Sequence, residues 1–169
     1  MMWRRVFYLL VLAVTAAQVC AQPGRVYKSL AEVQNPEDVY VLQLHNKKLR
    51  HIPSQVYQMV NLQTLDLRGN KIAYISDSIV RLEHLQVLDL SRNPLMDLPS
   101  ALAWMKDLRE LVLWSTYVNA VPQEFARLDG QLQLLDLRDC PLMLDDQKAI
   151  DQVLPTTKKK WYYACNCGD

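Results

Sequence analysis

Apolar residues recur at fixed intervals from Val39 to Leu142, and the interval is the chain's main message. With Val39, Leu62, Leu85, Leu108 and Leu132 as first positions, units begin 23, 23, 23 and 24 residues apart. The fourth and sixth places are always leucine: Leu42/Leu44, Leu65/Leu67, Leu88/Leu90, Leu111/Leu113 and Leu135/Leu137. Position nine reads Lys47, Asn70, Asn93, Thr116 and Cys140, and position eleven Leu49, Ile72, Leu95, Val118 and Leu142. Alternation at places four and six predicts a short strand with one face buried. An Asn at place nine can hydrogen-bond the backbone where the chain turns out of that strand.

The second half of each unit has a different period. Ile52, Ile75, Leu98 and Val121 lead; Val56, Ile79, Leu102 and Phe125 follow four places on, and Met59, Leu82, Met105 and Leu128 three further. That is one face of a short helical turn, which Pro53, Pro99 and Pro122 are placed to open. No unit can bury its apolar face alone, so the units must stack, their strands forming a parallel sheet inside an arc.

The whole register, L-x-x-L-x-L-x-x-N-x-L, resembles the leucine-rich repeat. With its L-P-x-x-L-x-x-L outer half it is similar to the short-repeat subclass of bacterial and intracellular members. The resemblance implies an α/β solenoid: an arc with a short parallel sheet on the concave face, helical turns outside and a cap at each end. It also implies recognition of another macromolecule, usually a protein, and no particular partner. The flanks, Ser29 to Tyr40 and the closing Leu154-Pro155 to Gly168, look like those of short exported bacterial members.

Residues 1–21 read as a secretory signal. Two arginines precede an apolar run from Val6 to Val19, and Val19 and Ala21 stand at the two positions a signal peptidase reads before Gln22. The run is short of the roughly 20 residues a spanning helix needs; a retained anchor or lipidation at Cys20 is the alternative. Without residues 1–21, basic residues fall from 19 to 17 against 18 acidic ones. A near-neutral chain has no electrostatic reason to bind nucleic acid. Lys158-Lys159-Lys160 reads as a solvated segment. The lack of any N-x-S/T sequon adds to a bacterial, exported reading, in the cell envelope or beyond it.

The domain reading is therefore a signal over 1–21, an N-terminal cap over 22–38, five repeats over 39–144 and a C-terminal cap over 145–169. In the first cap Ser29-Leu30-Ala31-Glu32 reads as a capping box that starts a helix ended by Pro36. In the second, Asp145 or Asp146 caps a helix with Ala149, Ile150, Val153 and Leu154 on one face, and Trp161-Tyr162-Tyr163 is the last extended piece over the open edge. Cys140 reads as a buried substitute for Asn. Cys165 and Cys167 are open to three readings: a strained mutual bond, a bond from one of them to Cys140 that leaves one free thiol, or a metal site for which the sequence places no third and fourth ligand nearby. No His or Cys spacing suggests a metal, and no cofactor is expected.

Enzyme motifs are missing: there is no phosphate loop, no H-E-x-x-H and no G-x-S-x-G. His45, Asp66, Asp89 and Ser91 could be drawn as a catalytic group on the concave face, but outward strand positions must be polar in any case. The expected recognition grid comprises Asp66, Arg68, Asp89, Arg92, Asp136 and Arg138, a neutralised lattice, interrupted in the fourth repeat by Val112, Trp114 and Tyr117. Aromatic residues beside Arg have the composition of an interface anchor. The sequence reading is a non-enzymatic, exported module that binds a protein or peptide through its concave sheet, as a monomer or weak self-associate. The alternative is a self-associating or envelope-associated scaffold using the terminal edge; a hydrolase comes third. If residues 1–21 are a cleaved signal, secreted material begins at Gln22, and N-terminal sequencing or intact mass that retains Cys20 would refute it.

Overall fold

The computed structural model describes residues 24–161. The signal reading, Cys20, Tyr162, Tyr163, Cys165 and Cys167 lie outside them. Seven parallel strands follow one another in chain order in a single open sheet: β1 (Val26–Tyr27), β2 (Val41–Gln43), β3 (Thr64–Asp66), β4 (Val87–Asp89), β5 (Glu110–Val112), β6 (Leu134–Asp136) and β7 (Lys158–Lys160). Register follows the repeat, since Leu42, Leu65, Leu88, Leu111 and Leu135 stand opposite one another across four strand pairs. The return segments are 3-10 turns, at Ser54–Gln58, Asp77–Arg81, Ser100–Trp104 and Gln123–Leu128. Between sheet and turns runs one continuous core, in which the leucines of positions one, four and six are at most 3 % exposed.

Several expectations are corrected in detail. Pro53, Pro99 and Pro122 sit one residue before the 3-10 turns, as N-caps in extended backbone. In the second repeat Ser76 takes that place, and its hydroxyl accepts from the Ser78 N–H at 3.3 Å. In the N-terminal cap Ser29 accepts from the Ala31 N–H, opening a turn at Leu30–Glu32, and Pro36 opens a second turn at Pro36–Asp38 instead of ending a helix. Strand β1 was not anticipated. In the C-terminal cap the only α-helix among the described residues, α1 (Leu144–Val153), starts from Met143, with Asp146 accepting from the Met143 N–H at 2.8 Å. It buries Ile150 and Val153, with Leu154 just beyond it, while Ala149 is exposed.

The last strand is the triple-lysine segment, three residues before the aromatic stretch expected there. Alternation turns the middle lysine inward: the Lys159 side chain is 8 % exposed, its ammonium 2.8 Å from Asp151 and donating to the Leu154 carbonyl at the end of α1. A cation at a helix C-terminus is favoured by the helix dipole. Trp161 is half-buried against the core.

Each repeat leaves its strand by the same device. Position eight takes left-handed φ in all five: Asn46 57°, Gly69 69°, Arg92 55°, Ser115 56° and Asp139 57°. Only the second repeat uses glycine, and a Cβ there would collide with the Asn46 side chain. Position nine then holds the turn. The Asn70 amide donates to the carbonyls of Leu44 and Leu67 at 2.9 and 2.7 Å and accepts from the N–H groups of Lys47 and Leu49 at 2.9 and 3.0 Å. Asn93 repeats this one unit on, donating to Leu67 and Leu90 and accepting from Ile72 at 2.9 Å. Leu95 and Val118 have no such amide to donate to, because Thr116 and Cys140 carry a hydroxyl and a thiol.

Three outcomes test this account. Leu88→Asp puts an unpaired charge in a fully buried slot, at a cost of several kcal/mol against a total of roughly 5–15; a cooperative melt near the parental temperature would refute the register. Asn93→Ala strands a buried N–H and two carbonyls and should cost about 3 kcal/mol, whereas Thr116→Val, losing one hydroxyl bond, should cost about 1; urea unfolding that ranks them the other way would sink the ladder argument. The third concerns Asp129. Desolvation pushes its carboxyl upward, but bonds from the N–H and hydroxyl of Thr156 at 2.8 and 3.0 Å, the contact with Thr157 and the charge of Lys159 outweigh it, and its pKa lies below the ordinary value. A carboxyl depressed in the folded state stabilises above its unfolded pKa and loses that effect as pH falls through the folded one. Parent and Asp129→Asn melts should therefore differ at neutral pH and converge under acid; a gap independent of pH refutes the role.

Candidate functional site

On the concave face, position five carries Gln43, Asp66, Asp89, Val112 and Asp136, and position seven His45, Arg68, Ser91, Trp114 and Arg138. The acids are engaged locally. Asp66 accepts from the Arg68 N–H at 3.0 Å, with the Arg68 guanidinium at 3.5 Å and the His45 ring at 3.1 Å. Asp136 was expected to face outward, yet it is 2 % exposed, because the Arg138 guanidinium covers it with contacts of 2.8 and 2.7 Å. Asp89 accepts from both the N–H and the hydroxyl of Ser91. Ser91 is fully buried, contrary to its expected place on an open polar grid. Physically, each carboxylate caps the N–H two residues on, where the strand ends.

This arrangement does not assemble a catalytic group. His45 engages Asp66, and the Ser91 hydroxyl engages Asp89 of its own repeat. Among the described residues, no group of three or more His, Cys, Asp or Glu side chains is placed to hold a metal ion.

The fourth repeat breaks the pattern. Val112 stands where its neighbours have Asp, so Trp114 lacks the capping carboxylate, and both side chains are half-buried in the middle of the sheet. Arg92 from the preceding repeat lays its guanidinium 5.7 Å from the Trp114 ring centre, a cation–π contact. The structure therefore joins Arg92, Val112 and Trp114. Asp66 and Arg68 stand two strands to one side, Asp136 and Arg138 on the adjacent strand. Tyr117, 60 % exposed, belongs elsewhere, on the flank where the chain leaves the sheet.

That flank holds a cleft of about 770 Å³. Its lining is three rows of three. Arg92, Ser115 and Asp139 come from position eight, Asn93, Thr116 and Cys140 from position nine, and Pro94, Tyr117 and Pro141 from position ten; Leu137, Leu142, Gln147 and Trp161 complete it. The hollow coincides with the place where the position-nine amide gives way to smaller groups. Thr116 donates to the Leu113 carbonyl at 2.8 Å, and the Cys140 sulfur lies 3.2 Å from that carbonyl and 3.4 Å from the Thr116 hydroxyl. Cys140 is half-buried, where full burial was expected. Desolvation pushes its thiol above the ordinary value; the Thr116 bonds oppose this, and the nearby charges of Asp139 and Asp136 add to it. Sequence reasoning missed Pro94, Pro141, Leu142, Gln147 and Trp161 as neighbours. The available signal was the departure from Asn at position nine in two successive repeats.

An open parallel sheet backed by 3-10 turns, with a groove along one flank, defines a solenoid of the protein-interaction class. The chain belongs to the leucine-rich repeat family, whose leucine-rich repeat region model matches residues 7–152. A leucine-rich repeat protein of Leptospira interrogans is 32% identical over 73% of this chain and 31% of its own, with a TM-score of 0.69. Internalin C2 of Listeria monocytogenes, 19% identical over 79% of this chain and 56% of its own, with a TM-score of 0.62, shares the fold. The BIR3–SERK2 complex of Arabidopsis thaliana contains a chain 34% identical over 60% of this one and 56% of its own, with a TM-score of 0.54. The present chain thus spans about a third of the Leptospira protein. Comparison with curated proteins gives no match.

Because its thiolate is disfavoured, Cys140 should react slowly with a thiol reagent in the folded protein and quickly in urea. The comparison uses a chain whose other cysteines are serine, and equal rates in the two conditions would contradict the buried, hydrogen-bonded thiol.

Proposed function

We propose that the protein is an exported, non-enzymatic binding module that takes a protein segment or peptide across its concave sheet, with Trp114, Val112 and Arg92 as the anchor. The observation that carries this reading is the interrupted acid row. Asp66, Asp89 and Asp136 are each occupied in ending their own strand, whereas repeat four offers a half-buried indole and a valine in mid-sheet. Buried aromatic and arginine anchors surrounded by polar groups are what interface hot spots consist of. The Arabidopsis relative, whose structure is of a protein complex, supports a protein partner. Export rests on the sequence of residues 1–21, and no described helix is long and apolar enough to cross a membrane.

Self-association through the terminal edge is the second reading, and the edge itself opposes it. Strand β7 presents Lys158 and Lys160 outward, and edge lysines discourage strand-to-strand pairing between copies. A monomer is expected over a concentration series in analytical ultracentrifugation.

The deciding experiment captures the partner from the native source and compares variants with it. Trp114→Ala should weaken binding by about 2 kcal/mol, roughly thirtyfold, with little loss of stability, and Asp89→Ala, which alters only a local cap, much less. A large fall in melting temperature with unchanged affinity would make Trp114 a packing residue and retire the concave-face reading.

A further inference from the structure

The flank cleft shares Arg92 with the concave anchor and otherwise has its own residues and chemistry. Its position-eight lining is a wall of side chains that runs from a cation to an anion: Arg92, Ser115, Asp139. Among the described residues no carboxylate lies within ion-pair distance of Arg92 and no cation within that distance of Asp139. Both are exposed. All three residues hold the left-handed φ that the second repeat assigns to Gly69, so the wall exists because side chains stand where glycine would leave none. The position-ten lining is Tyr117 between two prolines in repeat order, and Trp161 also lines the cleft.

We propose that this cleft binds an extended peptide segment of the pattern acid–apolar–base, the acid facing Arg92, the base facing Asp139 and the apolar side chain seated against Tyr117. The geometry follows from strand alternation. Arg92 and Asp139 are two strands apart, about 10 Å at a spacing of roughly 4.8 Å. Residues i and i+2 of an extended chain point the same way about 7 Å apart, and flexible charged side chains cover the remainder. Residue i+1 points oppositely, towards the middle of the position-ten row, which is Tyr117. A volume of about 770 Å³ suits a short segment, since ligand clefts commonly measure about 300–1,000 Å³.

The test is selection of a displayed heptapeptide library on the immobilised protein, followed by fluorescence anisotropy with a synthetic peptide of the winning sequence. Parent protein should enrich acid–apolar–base. The double charge reversal Arg92→Glu with Asp139→Lys should enrich base–apolar–acid. Arg92→Gly and Asp139→Gly, which place at these turns the residue the second repeat already uses, should each weaken the parental peptide about tenfold, the scale of one charged hydrogen bond. Their melts report folding independently, so a failed reversal variant leaves the question answerable. No enrichment, or the same consensus from parent and reversal, overturns the proposal. Trp114→Ala and Asp139→Gly, a position outside the concave anchor, separate it from the concave-face reading: a selected peptide that responds to Trp114→Ala but not to Asp139→Gly refutes the cleft and spares the sheet, and the opposite response does the reverse.

Discussion

The hydrogen bonding of the strand exit is the constraint on which the rest of this molecule depends. Every unit must turn its backbone out of a three-residue strand beside a core of leucines, and buried N–H and carbonyl groups without partners would outweigh much of the gain from apolar burial. Left-handed backbone at position eight makes the turn, and the side-chain amide at position nine satisfies it. Asn70 and Asn93 each tie two repeats together through both ends of one amide. Stacking is thus a property of a polar ladder as well as of the apolar core.

Relaxing this constraint is what opens the surface of the protein. Where the ladder passes to Thr116 and Cys140 the amide contacts end and a hollow opens; in the repeat of Thr116, Val112 replaces the capping carboxylate and Trp114 lies half-buried beneath Arg92. Both departures fall in the C-terminal half of the sheet. Arg92 joins them, since it covers the indole on one side and lines the cleft on the other. Its left-handed backbone costs about 1–2 kcal/mol relative to glycine, a strain that its neighbours in the stack hold in place.

The ends of the solenoid are closed by polar means too. Strand β7 carries three consecutive lysines, one of them buried on Asp151 and the end of α1, and Asp129 fixes the loop before it through Thr156. The Asp129 contact joins the cap to the fourth repeat, and Trp161 follows β7 directly and lines the cleft. A cap in this chain therefore also helps to line the cleft.

By itself, the sequence determined the repeat, its register, the inward leucines and the helical-turn period of the return segments, because those depend on spacing alone and recur often enough to leave one solution. The odd repeat was legible for the same reason, as a departure from its neighbours at positions five, seven and nine. Tertiary structure alone decided which polar residues are open. Asp136 and Ser91 occupy the outward register and are nevertheless buried, since the guanidinium of Arg138 and the carboxylate of Asp89 fold over them. Only the folded chain brings Trp161 and Tyr117 into the lining of one cleft and turns Lys159 inward, because those placements follow no period in the sequence. A repeat pattern dictates where side chains start; their partners, and so the cleft, follow from stacking.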